Sequence, residues 1–270
     1  MRYNWQHPEW PNFVYDLSEV QETLYIYMRE SGFLMGGISQ LSDQMQVDVG
    51  IDLMVLEALK TSEIEGERFD EEDVRSSIRK ELGLSPLRTA VKDPRAVGIG
   101  KLMLSVRESF EDLLTQEELF RWHRMVMSGT DTSHQIEIGA WRKDPEPMQV
   151  ISGAVGYEKV HFEAPPSESV PKEMERFIGW FNQTSSLPGP VRAALSHLYF
   201  ESIHPFADGN GRIGRAIAEK ALSQDLRRPI LFSLSTEIMR HRREYYTELS
   251  LASHYNMTIT RWVNYFVKTV

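Results

Sequence analysis

The segment Ser202-Ile203-His204-Pro205-Phe206-Ala207-Asp208-Gly209-Asn210-Gly211-Arg212-Ile213-Gly214-Arg215 leaves this chain few choices. Ahead of it, Val191, Ala194, Leu195 and Leu198 recur on one helix face. Pro205 lacks an N–H and disfavours the helical conformation at His204, so that helix stops there. Gly209, Asn210 and Gly211 tolerate positive φ, and Ile213, Ala216, Ile217 and Leu222 then start a second helix face. The sequence dictates helix, tight loop, helix.

A Gly-Asn-Gly loop entering a helix aims several backbone N–H groups into one concavity, an anion nest backed by the helix dipole. Arg212 and Arg215 share a face of the first turn and suit a polyphosphate. Asp208 is a hard oxygen ligand suited to Mg²⁺ held against phosphate oxygens. His204, just outside the nest, titrates near neutrality and fits a general base. Taken singly, these residues read as a helix-end histidine, an ordinary turn, surface arginines and a cap. Their concentration in one segment, in an order that builds one site, favours chemistry.

The rest of the chain is mainly α. Helical patterning runs from Ser18 to about Leu82, with Ile51, Met54, Val55 and Ala58 on one face. Ser18 with Gln21, and Thr115 with Glu118, match capping boxes. The acidic run Asp70–Asp73 suits a helix start. Pro86 and Pro94 bracket a connector. Further helices are expected over Ala96–Phe110, Thr115–Met127, Pro171–Asn182, Val191–Ser202, Gly211–Asp225, Thr236–Ala252 and from Thr260 onward. Met148–Ile151 and Val160–Phe162 read as a β-hairpin. The first stretch, with Trp5, Trp10, Phe13 and Tyr15, reads as an extended segment docked on a core.

Composition narrows the function. The chain has 270 residues, 41% hydrophobic and 26% charged, which supports a packed core. A net charge of −9 argues against nucleic-acid binding by phosphate neutralisation. Cysteine is absent, which excludes disulfides, thiolate metal sites and a cysteine nucleophile. With no His-Glu-x-x-His motif either, zinc is not expected. No apolar run reaches the ~20 residues of a membrane span, and no secretory signal opens the chain. A soluble, cytoplasmic protein is expected.

The Ser202–Arg215 segment resembles the Fic family motif, His-x-Phe-x-Asp/Glu-Gly-Asn-Gly-Arg-x-x-Arg, at every defined position. The likeness extends over roughly Ala96–Val270, through the helix before the motif, the Met148–Gly153 flap and Tyr245-Tyr246. The opening Tyr3–Asp16 resembles a region found ahead of some Fic domains. The resemblance implies an all-α Fic-type bundle with a hairpin flap, divided as a 1–95 N-terminal helical region and a 96–270 Fic core. It implies transfer of AMP from ATP to a Ser, Thr or Tyr hydroxyl. His204 would take the hydroxyl proton, and Asp208 would hold Mg²⁺ at the α- and β-phosphates. Gly209, Asn210 and Gly211 would cradle phosphate oxygens, Arg212 would contact the β-phosphate, and Arg215 the γ-phosphate. Phe206 would be a core anchor. Tyr246 could pack near adenine, with Tyr245 and His197 in the core.

Thr61-Ser62-Glu63-Ile64-Glu65-Gly66 reads by itself as a helix ending at Gly66. It also matches the family's inhibitory pattern, Ser/Thr-x-x-x-Glu-Gly/Asn, which implies that Glu65 competes with the γ-phosphate for Arg215. Glu63, two residues away, would point to another side. Val150, Ile151, Ser152 and Gly153 could pair by backbone with a target segment, or form a plain hairpin. Alternatives are a hydrolase removing AMP with Glu65 positioning water, a transferase of another phosphate-linked group, and a nucleotide-sensing module without catalysis. Self-modification is expected by analogy; relatives form homodimers, but the sequence itself shows no dimer interface, and no winged helix is expected in this chain.

Overall fold

The structure, a computed structural model, describes residues 2–87, 90–130, 136–152 and 159–270. Eleven α-helices and one two-stranded sheet are present among them. The helices are α1 Gln21–Ile38, α2 Asp43–Ile64, α3 Glu71–Glu81, α4 Pro94–Glu108, α5 Gln116–Val126, α6 Val170–Gln183, α7 Gly189–Ile203, α8 Asn210–Leu226, α9 Leu234–Arg240, α10 Arg242–Ala252 and α11 Thr260–Thr269. The strands β1 Gln149–Ser152 and β2 Lys159–Glu163 pair antiparallel, Val150 opposite Phe162, with an irregularity after Val150. The expected all-α fold with a hairpin is what forms. Gly153 lies outside the described residues.

The centre of the molecule is the α7–α8 pair. Nearly all of α7 is buried, and from Arg212 to Ser223 so is α8. A helix buried on every side is apolar all round, as Val191–Phe200 largely is. One core joins Ile51, Met54, Val55 and Ala58 of α2 to Leu198, Ile213, Ile217 and Trp262. The N-terminal region and the later helices thus share a single interior.

Several local readings are corrected. The Ser18–Gln21 box does not form; Asp16 instead accepts from Ser18 N (2.8 Å) and caps a 3₁₀ turn, Leu17–Val20. Thr115 does cap α5, accepting from Glu118 N at 3.1 Å, but the Glu118 side chain turns away to Ser109 Oγ and Lys220. The opening stretch docks its aromatics as expected, Trp10 lying edge-on to Tyr199, yet Asn4–Gln6 coils into a 3₁₀ turn. The single helix expected over Thr236–Ala252 is two. His241 leaves helical geometry (φ −115°, ψ 33°), closing α9 and opening α10. After that break Tyr245 is buried and bonded to His197 Nε2 at 2.7 Å.

Candidate functional site

The helix, loop, helix order forms as the sequence dictates, but of Gly209, Asn210 and Gly211 only Gly209 takes a positive φ; Asn210 and Gly211 already belong to the first turn of α8. His204 follows α7 as its C-cap and adopts the left-handed region (φ 50°, ψ 60°), its N–H donating to Phe200 O at 2.9 Å. Gly209 is left-handed too (φ 80°) and begins α8. The Asn210 side chain is buried and bonds both the N–H (2.9 Å) and the carbonyl (2.8 Å) of Phe206, so it clamps the loop. Phe206 is fully buried and stacks on the His123 ring at 4.0 Å. Its reading as a core anchor stands. His123 accepts from Gly139 N through Nδ1 (2.9 Å), which leaves Nε2–H to donate to Asp208 O (3.2 Å).

His204 lies on a cavity of about 480 Å³, together with Glu65, Glu201, Gly211, Arg242 and Tyr246. Val150, His161 and Phe162 bring the hairpin to its rim. Burial, aided by the Arg142 guanidinium, pulls the imidazole pKa down to about 4, against the Glu201 carbonyl and the charges of Glu65 and Asp208. His204 is therefore neutral at pH 7 and able to accept a proton. Its Nδ1 is buried 3.7 Å from Glu201 Oε2, so Nε2 is the nitrogen left for the cavity.

The two arginines behave differently from surface cations. Arg215 is 1% exposed, and its Nε donates to Thr61 Oγ1 (2.8 Å) while Nη2 donates to Thr61 O (2.9 Å) and Glu65 Oε1 (2.7 Å). Burial opposes ionisation of Glu65, but Arg215, with help from Arg212 and Arg242, holds its pKa below the usual carboxylate value. Arg212 is 5% exposed, with Nη1 on Glu67 (2.5 Å) and Nη2 3.9 Å from Asp208. Among the described residues Arg215 Nη1 and Arg212 Nε have no acceptor, an unmet demand that in a buried site points to a ligand. A Cβ added to Gly211 would collide with Glu65 Oε1. The missing side chain leaves a notch in the first turn of α8, and a carboxylate fills it.

The end of α2 explains how that carboxylate arrives. Gly66 is left-handed (φ 87°); its N–H donates to Glu63 O (3.0 Å) and that of Glu67 to Ser62 O (3.0 Å). This is a Schellman cap with glycine where the backbone requires it. Glu63 faces elsewhere, on Lys60 at 2.7 Å. Tyr246 also touches this end, its hydroxyl donating to Ile64 O at 3.4 Å, and Arg242 lies 5.3 Å over its ring. His197 and Tyr245 are core, as the sequence suggests.

Residues 113–222 match the model of the Fic/DOC family. The chain carries a Fic domain. Residues 3–84 match a second model, a domain of unknown function (DUF4172). The protein adenylyltransferase Fic of Culex quinquefasciatus is 33% identical over 144 residues, 53% of this chain and 25% of the relative. The protein adenylyltransferase fic-1 of Caenorhabditis elegans is 27% identical over 154 residues, 56% and 27% of the two chains. The chain thus spans about a quarter of the length of these relatives. A Fic family protein from Desulfovibrio desulfuricans superposes with a TM-score of 0.64 at 24% identity, covering 92% of this chain and 71% of that one. A Fic domain protein from Bacteroides thetaiotaomicron gives 0.66 at 17% identity, covering 89% and 92%. These structures share the fold.

Sequence reasoning missed several residues at the site. Glu201 sits one helical turn before His204, a spacing that could have flagged it. Burial and the charge of Glu65 raise its pKa to about 8, against the pull of Arg215. Arg142 donates to the carbonyls of His204 (2.8 Å) and Pro165 (2.5 Å), capping α7 from a loop with no sequence signature. Arg242 and His161 reach the cavity only through the fold. Glu67, next to the glycine of the cap, carries no sequence signal of its own. Among the described residues no group of three or more metal-ligating side chains occurs, and no helix is long and apolar enough to cross a membrane.

Proposed function

We propose that this protein transfers AMP from ATP to a Ser, Thr or Tyr hydroxyl of a protein, itself included, and that the conformation described here is inhibited. The observation that carries the reading is the Glu65 carboxylate in the Gly211 notch, bonded to Arg215 where an anionic ligand belongs. Phosphate groups suit this nest and its two arginines for the same reason the carboxylate does.

In the transfer, the target hydroxyl oxygen attacks the α-phosphorus. The bond from that phosphorus to the α,β-bridging oxygen breaks, and pyrophosphate leaves. The hydroxyl proton goes to His204 Nε2, which is neutral and faces the cavity. Backbone N–H groups around Gly209, Asn210 and Gly211 hold phosphate oxygens, Arg212 the β-phosphate and Arg215 the γ-phosphate. Tyr246 lines the space for the base. Asp208, 55% exposed and with one carboxylate to offer, fits a Mg²⁺ that takes its other ligands from phosphate and water. An ion held there would neutralise charge on the phosphates. While Glu65 occupies Arg215, ATP can enter only with its γ-phosphate displaced, and the α-phosphorus is misaligned. Val150–Ser152 would offer backbone for strand pairing with the target segment.

The test incubates wild type, Glu65→Gly and Glu65→Gly/His204→Ala with ATP and Mg²⁺, reading intact mass. AMP on Glu65→Gly alone supports the reading. Equal AMP on the double variant refutes the role of His204. AMP removal from a modified protein by wild type, abolished in Glu65→Gly, with no transfer by any variant, would replace it with the hydrolase.

A further inference from the structure

Glu67 belongs to neither arginine of the motif by sequence pattern, yet it makes the shortest ion pair in the site. Its Oε2 lies 2.5 Å from Nη1 of Arg212, a side chain only 5% exposed. The position is not a chance of side-chain reach. Glu67 N–H donates to Ser62 O, the closing bond of the α2 cap, so its backbone is fixed by the same turn that aims Glu65. The cap delivers two carboxylates to two arginines, one on each side of Gly66.

The other Glu67 oxygen faces a third arginine. Arg95 donates through Nε (3.1 Å) and Nη2 (2.7 Å) to Asp93, which leaves its Nη1 directed at Glu67 Oε1, 3.7 Å away. Arg95 is 39% exposed, so it can accept a carboxylate at less desolvation cost than Arg212.

We propose that Glu67 is a second latch: it masks Arg212 as Glu65 masks Arg215, and gives way to a phosphate by moving fully onto Arg95. This rests on the polyphosphate reading above and deepens it. The two arginines lie one helical turn apart and so engage two different phosphates, Arg212 the inner and Arg215 the outer. The two latches then carry separate signatures. Glu65 opposes only ligands with a γ-phosphate, whereas Glu67 opposes any ligand with a β-phosphate.

The test measures, by calorimetry on the full chain with Mg²⁺, binding of AMP, ADP, ATP and pyrophosphate to wild type, Glu65→Gln, Glu67→Gln and Arg95→Met. A charge-assisted hydrogen bond released from competition gives about tenfold tighter binding or more. Glu67→Gln is expected to tighten ADP, ATP and pyrophosphate by at least that factor and to leave AMP unchanged. Glu65→Gln is expected to tighten ATP and leave ADP unchanged. Arg95→Met is expected to weaken ADP, because the displaced carboxylate loses its receiver. Unchanged or weaker ADP binding in Glu67→Gln overturns the latch and makes Glu67 a support for Arg212. Tighter pyrophosphate without AMP transfer by any variant leaves the latch standing and removes the transferase reading. Transfer with ADP binding indifferent to Glu67 does the reverse, and no binding by any phosphate ligand overturns both.

Discussion

Replacing Glu65 by glycine should make the protein less stable alone and more responsive to ATP. In the structure Arg215 has three hydrogen bonds, two to Thr61 and one to Glu65. The substitution removes only the last, a charge-assisted bond worth about 1.5–3 kcal/mol, and Thr61 still holds Nε and Nη2. We take about 2 kcal/mol. For a chain of this size each kcal/mol moves Tm by about 2–4 °C, so Tm should fall by about 4–8 °C without ligand. The γ-phosphate then meets an unopposed guanidinium, and the same 2 kcal/mol corresponds to about 30-fold tighter ATP. Differential scanning fluorimetry with ATP and Mg²⁺ should show a larger ligand-induced rise in Glu65→Gly than in wild type. AMP, which has no phosphate to place on Arg215, should raise both equally. An ATP shift no larger in the variant, or a difference equally present with AMP, would refute the competition.

Two further expectations concern protons. The pH–rate profile of Glu65→Gly should keep its acid limb well below 6.5, since burial and Arg142 hold His204 neutral down to about pH 4 and the substitution removes one charge that raises it; an apparent pKa at or above 6.5 contradicts His204 as a buried base. Glu201, raised to about 8, keeps a proton that the unfolded chain has lost above about 4.5, so its contribution to stability falls as pH rises through 8. Glu219, raised to about 8 by burial and neighbouring Glu57, acts in the same direction. Between pH 6.5 and 8 the buried histidines, still partly protonated in the unfolded chain near pH 6.5, contribute alike to wild type and variant, so the difference reads Glu201 alone: Glu201→Gln should lose less stability over this window than wild type, by up to about 2 kcal/mol; an equal pH dependence means that Glu201 is ionised in the native state.

The α7–loop–α8 unit was legible because its constraints are local. Pro205 stops a helix, glycine permits positive φ, and apolar spacing marks the faces; no distant residue is needed to read them. The α2 face was legible for the same reason. The break at His241 was not, because apolar residues recur on both sides of it and only the docking of Tyr245 against His197 shows where the axis turns. Ser18 failed as a cap because Asp16, two residues earlier, competes with a better acceptor. At the site, the motif residues were visible but their partners were not. Arg142 and Arg95 lie on separate stretches of chain, and nothing in their local sequence records that they meet the site. Even the pairing of Glu65 with Arg215 came from resemblance; the sequence around Glu65 by itself describes only a helix end.

That helix end offers a way to test the proposed inhibition without removing a charge. Gly66 has φ 87°, and a Cβ built there meets nothing within 4 Å, so side-chain space is not what requires glycine. The backbone is. A β-branched residue costs more than the ~1–2 kcal/mol typical of L-residues in this region, while asparagine visits it readily. Gly66→Val should drive the chain out of the left-handed conformation. Glu67 N–H would then lose Ser62 O, and both carboxylates would lose their aim at α8. AMP transfer should rise towards the level of Glu65→Gly, although Glu65 and Glu67 are both still present. Gly66→Asn should stay inhibited. If the valine variant were as inactive as wild type, the carboxylates would be finding the arginines without the cap, and the inhibition would be a matter of charge alone. If the asparagine variant were equally activated, the cap geometry would not be the reason either side chain points where it does.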